Sequence, residues 1–382
     1  MQKVIVSNKA AKLLKSQFLW VYGSEIKNPP QNVDFVKIYD SSNRFLAIGY
    51  INIKSKIAIR VLSFKDEEIN KEFIKKRLLQ AYSFKKDISQ AIRLIHSEGD
   101  LLPGIFIDKF NNYFSIIFTT AGSLLLKEIL MEALEELFEI EGYLIRFDEK
   151  YSKIEGIEPF IEKKGNIEEI FFVEDEIKYK VNLLEGQKSG FYLDQRRNRR
   201  VASNYIKRED KALDLFSNSG GFGLYFAKKG AKVTLVDISK SAIEQAKKNF
   251  ELNNLEGEFV VANCFDYLRE LRDKKEEFDF INIDPPSFAK SKREKVGALR
   301  GFKDLMVNSL KVVKDGGFVA IYSCSFNISL NDLEDISLKA AIDTKSRLIK
   351  LEIMSADNDH TKLLSMKQTD YLKGLLFKVY KS

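Results

Sequence analysis

From about residue 176 to the end, short apolar runs alternate with amphipathic stretches. This rhythm constrains the fold more than any other feature of the chain. The spacing predicts strands at Ala212–Phe216, Lys232–Asp237, Gly257–Ala262, Phe278–Asp284, Gly317–Ser323 and Leu375–Tyr380, with helical stretches at 220–229, 240–253, 266–274, 299–314 and 331–344. Strand and helix in strict alternation imply a parallel, doubly wound α/β sheet. Such sheets bind ligands in the crevice beyond the carboxyl ends of their strands.

The predicted strand ends carry the residues such a crevice needs. Ala212-Leu213-Asp214-Leu215 runs into Phe216-Ser217-Asn218-Ser219-Gly220-Gly221-Phe222-Gly223, a small-residue turn that opens a helix. Glycines let the backbone approach a ligand, and helix-start amides favour a carboxylate or phosphate. The spacing is not GxGxxG, so a dinucleotide oxidoreductase is a poor match. The next strand ends in Asp237-Ile238, an acid placed to accept hydrogen bonds from ribose hydroxyls. The third ends in Asn263-Cys264-Phe265-Asp266, a contact suited to an adenine edge, and the fourth in Asp284-Pro285-Pro286-Ser287.

Upstream, residues 1–65 hold eleven basic and three acidic side chains, a net +8 in a chain whose total is +7. A basic module on a near-neutral remainder suggests a polyanion-binding appendage; a merely solubilising surface is the competing reading. Runs such as Phe35–Tyr39, Phe45–Tyr50 and Ile57–Val61 are β-branched and aromatic, which predicts a small barrel or sandwich over residues 1–67. Residues 68–175 predict an α+β domain, with helical periodicity from Asp66 to about Ile92, a strand at Tyr113–Thr119, a helix at Leu124–Phe138 and strands near 143–148 and 170–173. The third domain is expected over 176–382.

Two cysteines (Cys264, Cys324) and two histidines (His96, His360) exclude a disulfide framework, and no metal site is expected. The opening residues lack a signal-peptide core, and no apolar run approaches the roughly 20 residues that span a bilayer. A cytoplasmic protein without a membrane partner is expected, and a homodimer is left open.

The strand-end residues resemble the motifs of class I S-adenosylmethionine-dependent methyltransferases. Asp214 and the 217–223 turn match the first motif, Asp237 the ribose acid, Asp266 the adenine contact and Asp284-Pro285-Pro286 the fourth motif. Gly186-Gln187-Lys188-Ser189-Gly190-Phe191-Tyr192-Leu193-Asp194-Gln195-Arg196-Arg197-Asn198-Arg199 narrows this. It is similar to the GQKTGFFLDQRxNR stretch of ribosomal RNA cytosine-5 methyltransferases with an N-terminal PUA domain. Phe18–Tyr22, Glu98–Asp108, Asp359-His360 and Tyr371–Gly374 match too, so the resemblance spans almost the whole chain. It implies a PUA barrel, a central α+β domain and a Rossmann-like catalytic domain. It also implies S-adenosyl-L-methionine as cofactor, held by Gln187, Phe191, Asp194, Arg196, Asp214, Phe216, Ser217, Asn218, Gly220, Gly221 and Phe222. Further contacts would come from Asp237, Ile238, Asn263, Cys264, Asp266, Asp284 and Pro285, although Cys264 taken by itself reads as structural.

Carbon 5 of cytosine is not nucleophilic until a thiolate adds to carbon 6, so the chemistry needs a cysteine and a group at ring nitrogen 3. The resemblance puts the nucleophile in Ser323-Cys324-Ser325, and Asp284 would face the nitrogen edge. Two departures stand out: Ser287 replaces the second cysteine that assists release in some relatives, and Phe326-Asn327 replaces histidines that often follow the nucleophile. Large-subunit ribosomal RNA is the expected partner. Pro286, Ser287, Phe288, Lys290, Lys292, Arg293, Arg199 and His360 are candidate substrate contacts, with Phe288 stacking on a flipped base. Two alternatives stay open: a guanine nitrogen methyltransferase, which needs no cysteine, and a non-enzymatic RNA-binding assembly factor on the same fold.

Overall fold

The computed structural model describes residues 1–184, 190–289 and 291–381, with the backbone only at Lys292. The chain forms two compact units. The first comprises 1–172 with 181–184, 190 and 358–369; the second comprises 173–180, 191–357 and 370–381.

In the first unit, a six-stranded sheet is built from β1 (Gln2–Val6), β2 (Trp20–Tyr22), β3 (Ile26–Lys27), β4 (Asp34–Tyr39), β5 (Phe45–Ile51) and β6 (Ile57–Ser63), in the order β2-β6-β5-β4-β1-β3. Helix α1 (Asn8–Lys15) is started by Ser7, whose Oγ accepts the Ala10 N–H at 3.2 Å. A five-stranded sheet follows, from β7 (Ala91–His96), β8 (Ile105–Phe110), β9 (Tyr113–Phe118), β10 (Gly142–Phe147) and β11 (Ile161–Lys164), in the order β11-β10-β9-β8-β7. Helices α2 (Lys71–Lys85) and α3 (Lys127–Leu137) bury Phe73, Ile74, Leu78, Leu130 and Leu134 in its core; α4 is Glu149–Glu155. The helix expected from Asp66 to Ile92 is shorter at both ends. Asn70 caps its start by accepting the Phe73 N–H, and Ala91–His96 pairs with β8 as a strand.

Segment 358–369, which the sequence assigned to the last domain, belongs to the first unit. Its side chains explain why. Asp359 accepts the Arg93 N–H at 3.0 Å, His360 Nδ1 lies 2.7 Å from Asp359, and Thr361 donates to Asp100 at 2.8 Å. Asp100 also pairs with the fully buried Lys85 at 2.6 Å. Burying these groups is tolerable only because each charge meets a partner.

The sequence passes to the second unit through a two-stranded sheet, β12 (Ile170–Glu174) with β13 (Ile177–Val181). The second unit's main sheet has seven strands: β14 (Lys211–Leu215), β15 (Lys232–Asp237), β16 (Glu258–Val261), β17 (Phe278–Ile283), β18 (Val313–Ser323), β19 (Ser346–Ser355) and β20 (Lys373–Lys381). Their order is β16-β15-β14-β17-β18-β20-β19, the first five strands parallel. Its helices are α5 (Arg196–Ser203), α6 (Gly221–Lys228), α7 (Lys240–Leu252), α8 (Cys264–Asp273), α9 (Lys295–Val312) and α10 (Leu330–Asp343). The strands read as near-continuous apolar runs because both faces are covered; Leu213, Ile281, Val319 and Leu375 join one core with Leu268, Phe302 and Leu333.

The expected doubly wound α/β architecture is present, with one addition. Strand β19 was not read from the sequence, because Ile349, Leu351 and Ile353 are exposed on an edge and its residues lack the buried alternation that marks a strand. Strand β20 lies between β18 and β19, antiparallel to both.

Candidate active site

Strand register sets the site. Leu215 pairs with Val236 and with Ile283, and Ile283 pairs with Ile321. The turn after β14, Asp237, Asp284 and Cys324 therefore all leave one edge of the sheet, the carboxyl edge of the parallel strands.

The turn after β14 is conformationally demanding. Phe216 and Asn218 hold positive φ values of 60° and 46°, and Gly220, which precedes α6, has φ 82°. A bulky residue held left-handed is uncommon and must be fixed from outside. Here the Phe216 N–H donates to Cys264 Sγ at 3.3 Å and the Asn218 N–H to Asp237 Oδ2 at 3.0 Å. The second oxygen of Asp237 accepts the Ser239 N–H at 2.8 Å. A Cβ on Gly223 would sit 2.8 Å from Leu235 Cδ2, so only glycine lets α6 approach β15 this closely.

Asp214 pins the turn. Its two oxygens accept the Gly223 N–H and the Asn282 side-chain amide, both at 2.9 Å. It is 1% exposed, and burial pushes its carboxyl up to about 7. With both oxygens engaged in this way, Asp214 organises the turn. Ser217 Oγ is buried at the same turn and has no partner among the described residues. Ile238, beside the ribose acid, presents an apolar side chain that is 70% exposed.

At the third strand end, Asn263 Oδ1 is engaged in capping α8, accepting the Phe265 N–H at 2.9 Å, and the exposed Asp266 pairs with Arg269. Cys264 is buried, and burial pushes its thiol up to about 12. Its sulfur lies 3.6 Å from the Val236 carbonyl. It underpins the turn, as its structural reading expected. Phe288 packs among Phe216, Phe265 and Phe302, its ring centroid 5.1 Å from that of Phe302. This aromatic cluster holds the ring in place and leaves it partly exposed.

Cys324 follows β18 directly and is partly exposed. Asp284 stands at the neighbouring tip. Gln195 Nε2 donates to Asp284 Oδ1 at 3.0 Å, and Asn198 Nδ2 donates to Gln195 Oε1 at 2.6 Å. Gln195 is 3% exposed, a positioning residue the sequence reading missed although it lies inside the 186–199 stretch. Tyr322, one strand position inward, is buried with its ring 5.2 Å from Phe222, itself buried in α6. Of the fourth motif, Pro285 is buried, Pro286 exposed and Ser287 partly exposed.

The arginine cluster before β14 corrects the sequence reading. Arg196, expected at the cofactor or the RNA, is 0% exposed; it pairs with Glu174 at 2.8 Å and Asp357 at 3.1 Å. Arg199, expected at the RNA, is also buried, bound to Glu174 at 2.6 Å with its guanidinium over the Phe191 ring. Phe191 is packed against Tyr179 at 4.7 Å and lies beside the glycine turn, its Cζ 3.8 Å from where a Cβ on Gly221 would stand, and the buried Asp194 accepts the Tyr371 hydroxyl at 2.6 Å. Helix α5 turns positions 196 and 199 to the interior, where the carboxylates of Glu174 and Asp357 together offset the two charges. Only Arg197 of this group is exposed and Arg200 pairs with Asp175. His360 likewise presents nothing to a substrate, being 2% exposed between Asp359 and His96 in the first unit. Arg293 and Arg300 are exposed, whereas Lys295 and Lys303 pair with Asp332 and Asp343. Gln187 and Lys290, and the side chain of Lys292, lie outside the described residues.

A PUA-like domain family model matches residues 4–64 and a methyltransferase domain model matches residues 206–375. A protein of Aliivibrio fischeri named ribosomal RNA large subunit methyltransferase I is 34% identical, covering 96% of this chain and 97% of its own length. Its namesake from Tolumonas auensis is 34% identical and covers 98% of each chain. Among solved structures, one described as a methyltransferase complexed with SAH superposes with TM-score 0.86 at 22% identity, covering 99% of this chain and 100% of that one. A SAM-dependent methyltransferase from Streptococcus mutans superposes at TM-score 0.85, also 22% identical and with the same coverage. These two superpositions show the fold.

Proposed function

This chain belongs to the ribosomal RNA large subunit methyltransferase I family, and from that premise we propose that it methylates carbon 5 of a cytidine in large-subunit ribosomal RNA through a covalent adduct on Cys324. It is an S-adenosylmethionine-dependent ribosomal RNA methyltransferase with a PUA-like N-terminal domain. The observation that carries the finer reading is the partly exposed Cys324 at the tip of β18. It leaves the same sheet edge as the 216–223 turn, one strand from Asp284.

The residues at that edge fit the cofactor. Ser217 Oγ is buried without a partner among the described residues, and the helix-start amide at Gly221 suits the methionine carboxylate. Asp237 keeps further lone pairs for ribose hydroxyls, and exposed Ile238 offers an apolar face to adenine. S-adenosylmethionine bound there supplies an electrophilic methyl group on a sulfonium.

The chain's own residues do the rest. The Cys324 thiolate adds to carbon 6, which makes carbon 5 nucleophilic. Asp284, held by Gln195, stands at the ring-nitrogen edge and favours protonation there. After methyl transfer a solvent water takes the carbon-5 proton, the carbon–sulfur bond breaks to return the Cys324 thiolate, and the ring double bond re-forms. Ser287 cannot act as a second thiol, so release depends on elimination of Cys324 itself. Exposed Arg293 and Arg300 follow the fourth motif and suit phosphate contacts. Arg199 and His360 are withdrawn from the substrate contacts by their burial.

Mass spectrometry of nucleosides from ribosomal RNA of a strain lacking the gene tests the reading. Loss of one 5-methylcytidine from large-subunit RNA is expected; loss of a methylguanosine instead would sink it.

A further inference from the structure

The reversed strand β20 brings one residue to the active edge that no reading of the motifs placed there. Because β20 runs antiparallel to β18, its first residue stands at the carboxyl edge of the parallel strands: Lys373 pairs with Ser323, immediately before the nucleophile. The Lys373 ammonium donates to the carbonyl of Ser325, immediately after the nucleophile, at 3.2 Å and to that of Tyr371 at 2.9 Å. It also sits 6.0 Å from the centre of the Phe326 ring. Its backbone and its side chain thus bracket Cys324.

We propose that Lys373 is the positioning residue that holds Cys324 as the reactive thiolate, the charge of its ammonium, fixed beside the nucleophile by the two carbonyls, stabilising the sulfur anion. A thiolate is the nucleophilic form of cysteine, and a cation held nearby favours it over the thiol. The thiol proton goes to solvent and Lys373 stays protonated, which balances the step. This rests on the carbon-5 reading above and adds the means of activation.

The surrounding charges agree. Burial pulls the Lys373 ammonium below the usual lysine range, while Asp370, Cys324 and Asp332 act to raise it. Asp332, at the start of α10, is already paired with Lys295 at 2.7 Å and bonded to Ser329. Phe326 and Tyr371 contribute a ring face and a carbonyl rather than charge.

The test is the pH profile of iodoacetamide alkylation at Cys324 in the full chain, read by peptide mass spectrometry. Lys373→Gln keeps donors for the two carbonyls but removes the charge; its profile should move up by about one pH unit, a roughly tenfold slower alkylation at neutral pH. Lys373→Arg should restore most of it. A Lys373→Gln profile superimposed on the parent's overturns the proposal. Should Lys373→Gln not fold, the reciprocal measurement decides. In Cys324→Ser the pH midpoint for acetic anhydride labelling of Lys373 should fall, because linkage between two sites is mutual; no shift would also overturn it. Alkylation reads the ion pair whichever base is methylated, so failure of the carbon-5 reading would appear separately, as methylation surviving in Cys324→Ala.

Discussion

Cys264 and Cys324 follow two strands of one sheet and leave it at the same edge, yet their surroundings differ in kind. Cys264 lies beneath the cofactor turn, its sulfur accepting the Phe216 N–H, its thiol pushed up to about 12 by burial. Cys324 is partly exposed, bracketed by Lys373 and one strand from Asp284. The same functional group is a structural acceptor in one region and the proposed nucleophile in the other, because solvent and the Lys373 charge reach the second. The lesson is that strand-tip position nominates a residue, while desolvation and neighbouring charge decide its chemistry.

The largest expected effect separates the two directly. Cys324→Ala should reduce 5-methylcytidine formation by more than about 10⁴-fold in an assay with ribosomal RNA and labelled cofactor, while Cys264→Ala should stay within a few-fold. Equal losses would break the comparison. Next, the proposed role of Asp284 at the target ring predicts that Asp284→Asn lowers kcat by roughly 10²–10³-fold, with a smaller effect on cofactor binding by titration calorimetry. In mild alkylation at pH 8, Cys324 should react at least about 100-fold faster than Cys264, as thiolate fraction sets the rate. Mass spectrometry of the two peptides gives the ratio.

Smaller effects concern stability. Cys264→Ala removes the acceptor of the Phe216 N–H and should cost about 1–2 kcal/mol in urea denaturation. The Cys264 thiol is raised in the fold above its unfolded value. Its stabilising contribution is therefore full below about pH 8.5 and is lost as pH climbs toward 12, at about 1.4 kcal/mol per unit. Denaturation midpoints from pH 8 to 10 should fall more steeply for the parent chain than for Cys264→Ala. Parallel slopes would remove the contrast between the two thiols.

Local periodicity determined much of this molecule. Apolar runs of strand length, the Asp214–Gly223 turn and the acids at strand ends are written in contiguous residues, and burial on both sheet faces requires that pattern. Hence the five parallel strands and their tips were legible. Charge patterns were not. Arg196, Arg197 and Arg199 look alike in sequence, but only the fold supplies Glu174, 22 residues upstream of Arg196, to take two of them inside. His360 similarly needed Asp359 and the distant His96 before its burial could be known. The direction of β20 was likewise decided by tertiary structure alone. An exposed edge strand carries no buried alternation, and nothing local to Lys373 says which way its strand runs or that Ser323 lies opposite. Sequence specifies what a segment can bury; strand pairing and long-range charge neutralisation, which depend on residues far apart in the chain, specify which side chains meet.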